Sequence, residues 1–197
     1  MLAALIELLI PPRPSERVVR ALTLAQLQML DGEDGLPYHD PRVTSLVWEL
    51  KYYANRRAAR LAGALLAEKV LAAAAEELGK PLLVPVPMHA ARRRERGHNQ
   101  TELLCKAALR HLAGAVEYTP YIVERTVDTR TQQGLPRHLR LKNIKGSMRA
   151  TDPAVVDGRA CIVVDDVSTT GATLAEAKRA LRVAGARAVH TICLARS

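Results

Sequence analysis

Two adjacent carboxylates and a run of small hydroxyl residues dominate the chemistry available to this chain. Between Cys161 and Thr173 the sequence reads CIVVDDVSTTGAT: an apolar run, Asp165 and Asp166, then Val167, Ser168, Thr169, Thr170, Gly171, Ala172 and Thr173. Small hydroxyl residues and a glycine at a strand-to-helix turn let backbone N–H groups crowd around a phosphate, and the helix N-terminus adds partial positive charge. Gly171 permits close approach or a positive φ. Two carboxylates beside such a cradle repel the phosphate unless they bind something neutral or cationic, such as ribose hydroxyls or a Mg²⁺-bound sugar. No Lys lies between Asp165 and Thr173, as the ATP-binding P-loop requires, and no G-x-G-x-x-G fingerprint is present. A hydroxyl-capped turn alone would account for Thr170 to Thr173 but not for the paired acids.

A second chemical feature is charge. The chain has 197 residues and a net charge of +9, and the stretch from Arg92 to Arg149 holds 13 basic and 5 acidic residues, +8 of that excess. Such a cluster reads either as a solvated face or as a seat for an anionic partner, whether nucleic acid or a phosphorylated small molecule. With one Trp, five Tyr and no Phe, a stacking platform for single-stranded nucleic acid finds little support in composition.

The elements that must position these residues follow from periodicity. Residues 2–9 and 15–30 read as short helices, with Ser15 as an N-cap after Pro14. Residues 31–41 read as a loop. A long helix is expected over 43–78, because Leu46, Leu50, Ala54, Ala58, Leu61 and Leu65 recur at helical steps, and Gly79 closes it. Strands are expected at 82–87, 115–118, 122–124, 160–164 and 188–195, and helices at 100–111 and 173–183. The segments 92–99 and 125–146 read as loops, the second long enough to be functional. This rhythm predicts an α/β fold with a mostly parallel sheet flanked by helices, made of a helical N-terminal extension (1–42) and a main domain (43–197). No apolar run reaches the roughly 18 residues of a membrane span. The start of the chain lacks the basic leader and small-residue cleavage site of a signal peptide. Three widely spaced cysteines fit a reducing cytoplasm.

The run at 161–173 resembles the 5-phosphoribosyl-1-pyrophosphate (PRPP) signature of type I phosphoribosyltransferases. The resemblance implies that Asp165 and Asp166 hold the ribose 2- and 3-hydroxyls, with Mg²⁺ reached indirectly through the ribose or water. It implies that Ser168 to Thr173 wrap the 5-phosphate, with the amide of Val167 contributing. Two further segments are similar to the ComF family, linked to DNA uptake. The first, residues 84–100, reads VPVPMHAARRRERGHNQ; the second, 125–148, carries Thr129, Gln132, Leu135, Arg140, Asn143 and Gly146 at the family's spacing. Tyr38, Lys51 and Tyr52 also match, so the likeness covers about 36–197. It implies that Pro87, Met88 and His89, with Arg92 and Arg96, face the pyrophosphate, and that a hood over 125–143 brings Arg130 and Arg140 to the leaving group. Pro11-Pro12-Arg13 is followed by Pro14-Ser15-Glu16-Arg17, where relatives carry cysteines, so no zinc ribbon is expected. The implied activity is Mg²⁺-dependent transfer of phosphoribosyl to an acceptor nitrogen. The alternative is a DNA-handling factor that binds single-stranded DNA and keeps the pocket as sensor or scaffold. A homodimer through the helix at 43–78 is a further implication.

Overall fold

The computed structural model describes residues 12–127 and 144–197. Seven strands and eight helices occur among them. In chain order they are α1 (Pro14–Ala21), α2 (Leu24–Leu30), β1 (Leu36–Pro37), α3 (Pro41–Tyr53), α4 (Arg56–Ala75), β2 (Leu82–Pro85), α5 (Ala90–Arg96) and α6 (Gln100–Ala108). After these come β3 (Glu117–Tyr118), β4 (Val123–Arg125), β5 (Met148–Ala150), α7 (Pro153–Val156), β6 (Ala160–Ser168), α8 (Ala172–Val183) and β7 (Ala188–Arg196). Five strands form a sheet in the order β1-β7-β6-β2-β3, every neighbouring pair parallel. β4 and β5 form a separate antiparallel pair.

The central strands are apolar on both faces because helices cover both. Leu83, Ile162, Val164 and Leu194 pack under α3, α4 and α6. Leu82, Val84, Cys161, Val163 and Val189 pack under α8 with Leu181 and Met148. Each fully buried Leu, Ile or Val in these layers contributes roughly 1.5–3 kcal/mol. Val19, Leu22, Leu27 and Leu36 from the N-terminal helices and β1 belong to the first of these cores.

Several expectations change, among them the helix over 15–30, which is two helices because Leu22 is extended and Thr23 caps α2. The helix over 43–78 is two helices, because Ala54 is left-handed (φ 47°) and Asn55 caps α4 by accepting from the amides of Arg57 and Ala58. A buried carboxylate organises the break: Glu49 accepts from Arg13 (3.1 and 2.9 Å), Ser15 Oγ (2.7 Å) and Asn55 Nδ2 (2.9 Å). Ser15 is therefore spent on Glu49, and helix α1 starts one residue earlier, at Pro14 after Arg13. Residues 92–99 are not a loop, since α5 spans most of them. It buries no residue, so it has no apolar stripe to read, and it stops at the left-handed Gly97. β6 runs four residues beyond 164, carrying both aspartates, because β7 pairs with it as far as Ser168↔Arg196. The expectations for residues 2–9, for Arg130 and Arg140, and for the rest of 128–143 lie outside the described residues.

Candidate functional site

The carboxyl ends of parallel strands are where open α/β sheets bind ligands, and the chemistry-bearing residues gather there. β2 stays paired with β6 until Pro85↔Val164, and the amide of Val86 still donates to Val164 O at 2.8 Å. The chain then leaves as Pro87-Met88-His89, beside the point where Asp165 and Asp166 emerge on β6. The antiparallel pair β4–β5 stands alongside. Its Met148 is clamped to α8 from two sides: Glu176 accepts from the Met148 amide at 3.1 Å, and Arg179 donates to the Met148 carbonyl at 2.8 Å. Met148 is a buried core residue.

These elements enclose a cavity of about 350 Å³. Its lining includes Asp165, Asp166, Val167, Thr169 and Thr173 from β6 and α8, Pro87, Met88, His89 and Arg92 from the β2–α5 segment, and Arg125 from β4. Tyr38 and Lys51 close it from the N-terminal side. Gly171 is left-handed (φ +74°) at the N-cap of α8 and brings no capping side chain of its own. A Cβ on Gly171 would meet nothing within 4 Å, so backbone conformation alone sets the demand for glycine. The Thr170 hydroxyl accepts from the Ala172 amide at 3.4 Å. A helix N-terminus of this kind accepts an anion.

The carboxylates have the opposite character. Both are about 7 % exposed. Asp165 accepts from the amide of Asp166 at 2.9 Å. Burial first, and the Asp166 charge second, raise the Asp165 carboxyl well above its ordinary value, with the Arg125 charge opposing them. Asp166 lies on the same strand without a cationic hydrogen-bond partner among the described residues. Arg92, Arg125 and Lys51 stand in the cavity wall, and the Arg96 charge interacts with that of Asp166. Arg96 donates to Gln100 Oε1 at 2.9 Å and lies 5.4 Å from the Tyr52 ring centre. Burial, then the neighbouring Arg92 charge, lower its pKa.

Most of the expected site residues are brought together, but not all. Ser168 and Gly171 line a separate depression against β7 and α4. Thr170, Ala172 and Arg96 do not line the cavity. Asn99 caps α6 by accepting from the Thr101 amide, ties that helix to the Val86 carbonyl at 3.1 Å, and also lines the cavity. His98 is bound to the Leu50 carbonyl at 3.1 Å. Val47, Gln100, Thr101 and the terminal Ser197 line the cavity and were not singled out. Their spacing holds no local signal, since packing alone carries them there.

Among the described residues no group of three or more His, Cys, Asp or Glu could hold a metal ion. The donor set therefore does not form a protein cage. It fits a Mg²⁺ that keeps most of its waters and meets the two carboxylates through water or a bound hydroxyl.

Comparison with known proteins places the chain in a family. The model of the Phosphoribosyl transferase domain matches residues 51–197. DNA utilization protein YhgH of Salmonella typhi is 36% identical over 162 residues, covering 81% of this chain and 69% of that one. The protein of the same name from Escherichia coli (strain K12) is 37% identical over 159 residues, covering 80% and 68%. Competence protein F of Haemophilus influenzae is 35% identical over 116 residues, covering 58% and 50%.

Proposed function

The chain belongs to the phosphoribosyl transferase domain family, in its ComF branch, and on that footing we propose that it binds PRPP with Mg²⁺ and transfers phosphoribosyl to an acceptor nitrogen, releasing pyrophosphate. The observation that carries the reading is the buried aspartate pair, whose Asp165 carboxyl stays raised although the Arg125 charge opposes it, set beside a helix N-terminus whose N-cap is a left-handed glycine. Asp165 and Asp166 accept the ribose 2- and 3-hydroxyls. Amides at the start of α8, with the Thr169 and Thr173 hydroxyls, donate to the 5-phosphate. Pro87 to His89 present backbone toward the pyrophosphate, and Arg92 supplies a guanidinium fork. Asp165 and Asp166 would hold a hydrated Mg²⁺ through water or the ribose hydroxyls, and that ion would supply positive charge toward the pyrophosphate. The acceptor nitrogen's lone pair forms the new bond to C1 while the C1–O bond breaks and its electrons leave with pyrophosphate. The proton freed from nitrogen passes to solvent. No enzymic nucleophile is required, so the protein's contribution is positioning and electrostatic stabilisation.

Calorimetric titration of PRPP with Mg²⁺ should give saturable heat. Asp166→Asn should weaken binding roughly a hundredfold, about 3 kcal/mol, without unfolding the protein. Absence of saturable heat with the unaltered chain would end this reading.

A second reading, a DNA-handling factor, is supported by the +9 net charge and by the names of the relatives, which speak of DNA utilization and competence. It requires single-stranded DNA binding that weakens steeply with salt. A mobility shift across a salt series measures that.

A further inference from the structure

The basic stretch from Arg92 to Arg149 does not form one face. Arg93 is paired with Glu102, Arg149 with Glu124, and Arg96 is turned to Gln100. The cations left without an acidic partner group elsewhere. Arg56 and Arg60 on α4, with Lys106 and Arg110 on and just beyond α6, line a groove of about 590 Å³ between the two helices. No acidic residue lines it, and its floor is Ala59, Leu103 and Ala107. All four cations are solvent-exposed, and among the described residues none makes an ion pair or a side-chain hydrogen bond. The helices run close together because position 63 is glycine: a Cβ there would come within 2.5 Å of the Ala107 Cβ. On each wall the cations stand four residues apart, an axial step of about 6 Å, comparable to the separation of successive phosphates on an extended strand.

A second observation selects the kind of polyanion. Half of the chain's six aromatic residues, Trp48, Tyr52 and Tyr53, lie at the end of α3, immediately before α4, and each is about 46% exposed. Trp48 and Tyr52 are in contact, with ring centres 4.3 Å apart. Tyr52 lies beside Arg96 and Lys51, while the His98–Leu50 contact joins α3, which precedes α4, to the turn that precedes α6. Half-exposed rings beside cations stack nucleic-acid bases, and a cation-lined track holds the backbone. A narrow groove between two helices admits one strand, not a duplex.

We propose that the α4–α6 groove, with Arg56, Arg60, Lys106 and Arg110, and the Trp48–Tyr52 platform together form a binding site for single-stranded nucleic acid, with phosphates in the groove and bases on the rings. The groove shares no lining residue with the aspartate-pair cavity. It gives the second reading above a definite surface and rests on it only for the choice of nucleic acid among polyanions.

Trp48 is the single tryptophan, so its fluorescence reports directly on the platform. Titrating the full chain with oligothymidylate should quench it saturably. Arg60→Glu with Lys106→Glu should weaken binding of a labelled strand roughly tenfold or more at low salt. The slope of log affinity against log salt should fall by about 0.7 for each phosphate contact removed. Trp48→Ala should cost roughly fivefold or more, while Lys178→Glu, exposed on α8, should change nothing. Failure to bind the strand, unaltered binding by the double variant with a normal thermal melt, or a preference for duplex or for phosphatidylglycerol vesicles would overturn the proposal. PRPP calorimetry on the same proteins separates the two sites. Asp166→Asn that loses PRPP but keeps the strand supports both. Strand binding by a chain that shows no PRPP heat leaves the groove standing and removes the transferase reading.

Discussion

Glu49 and the Asp165–Asp166 pair are acidic groups buried to a similar degree, and the fold treats them in opposite ways. Burial opposes ionisation of Glu49, but Arg13, Ser15 and Asn55 outweigh it and hold the carboxyl below its ordinary value. At Asp165 burial and the Asp166 charge act together, and the carboxyl rises. The first arrangement is architecture. Glu49 ties the start of α1 to the α3–α4 break, with Arg13 also lying 3.7 Å from the Tyr53 ring centre. The second is an electrostatic liability in the free protein, and a fold retains such a liability where a ligand relieves it. Glu176 belongs with Glu49: against the cost of burial, Arg179 and the Met148 amide hold it low.

The contrast breaks most visibly at Glu49. Glu49→Ala strands Arg13 and Asn55 and should cost about 2–3 kcal/mol in urea unfolding, the partial exposure of Arg13 tempering the full price of a broken buried pair. An unchanged midpoint would show that the carboxylate is not an anchor. The next effect has the opposite sign. A raised folded-state pKa means that Asp165 stabilises fully only below its ordinary value of 3.8, and that this stability is lost as pH rises through the folded value. Asp165→Asn should therefore raise the melting temperature of the ligand-free protein at pH 8, by about 1 kcal/mol in stability, and give no gain at pH 3. The smallest effect concerns Glu176. Its folded pKa lies below the ordinary 4.5, so its contribution is present above that value and is lost as pH falls through the folded one. Glu176→Gln should flatten the acid limb of the stability curve below pH 4.5 by about 1 kcal/mol or less, which melts at pH 3 and pH 7 would reveal.

The parts of the site that were legible in sequence are those made by neighbouring residues. The order of apolar run, Asp165-Asp166, hydroxyls and Gly171 is a local strand–turn–helix, and the parallel sheet around it follows from apolar strands separated by helices. What packing decides was not legible. Val47 and Ser197 reach the cavity from parts of the sequence far apart. The break at Ala54 interrupts a helical apolar pattern with an excellent helix former, because the Glu49 network and the bonds from Arg57 to the Val19 and Leu22 carbonyls fix the geometry there. The unpaired cations were hidden for the same reason. A charge count along the chain could not tell that Arg93 and Arg149 are consumed by carboxylates while Arg56 and Arg60, outside the basic stretch, are left without them.

The central claim is that the aspartate pair and the start of α8 hold the two ends of one sugar phosphate. A crystal structure of the protein soaked with PRPP and Mg²⁺ tests it most directly. The account predicts ribose hydroxyls on Asp165 and Asp166 and the 5-phosphate on the amides that follow Gly171. Density for the compound elsewhere, with that turn empty, would contradict it.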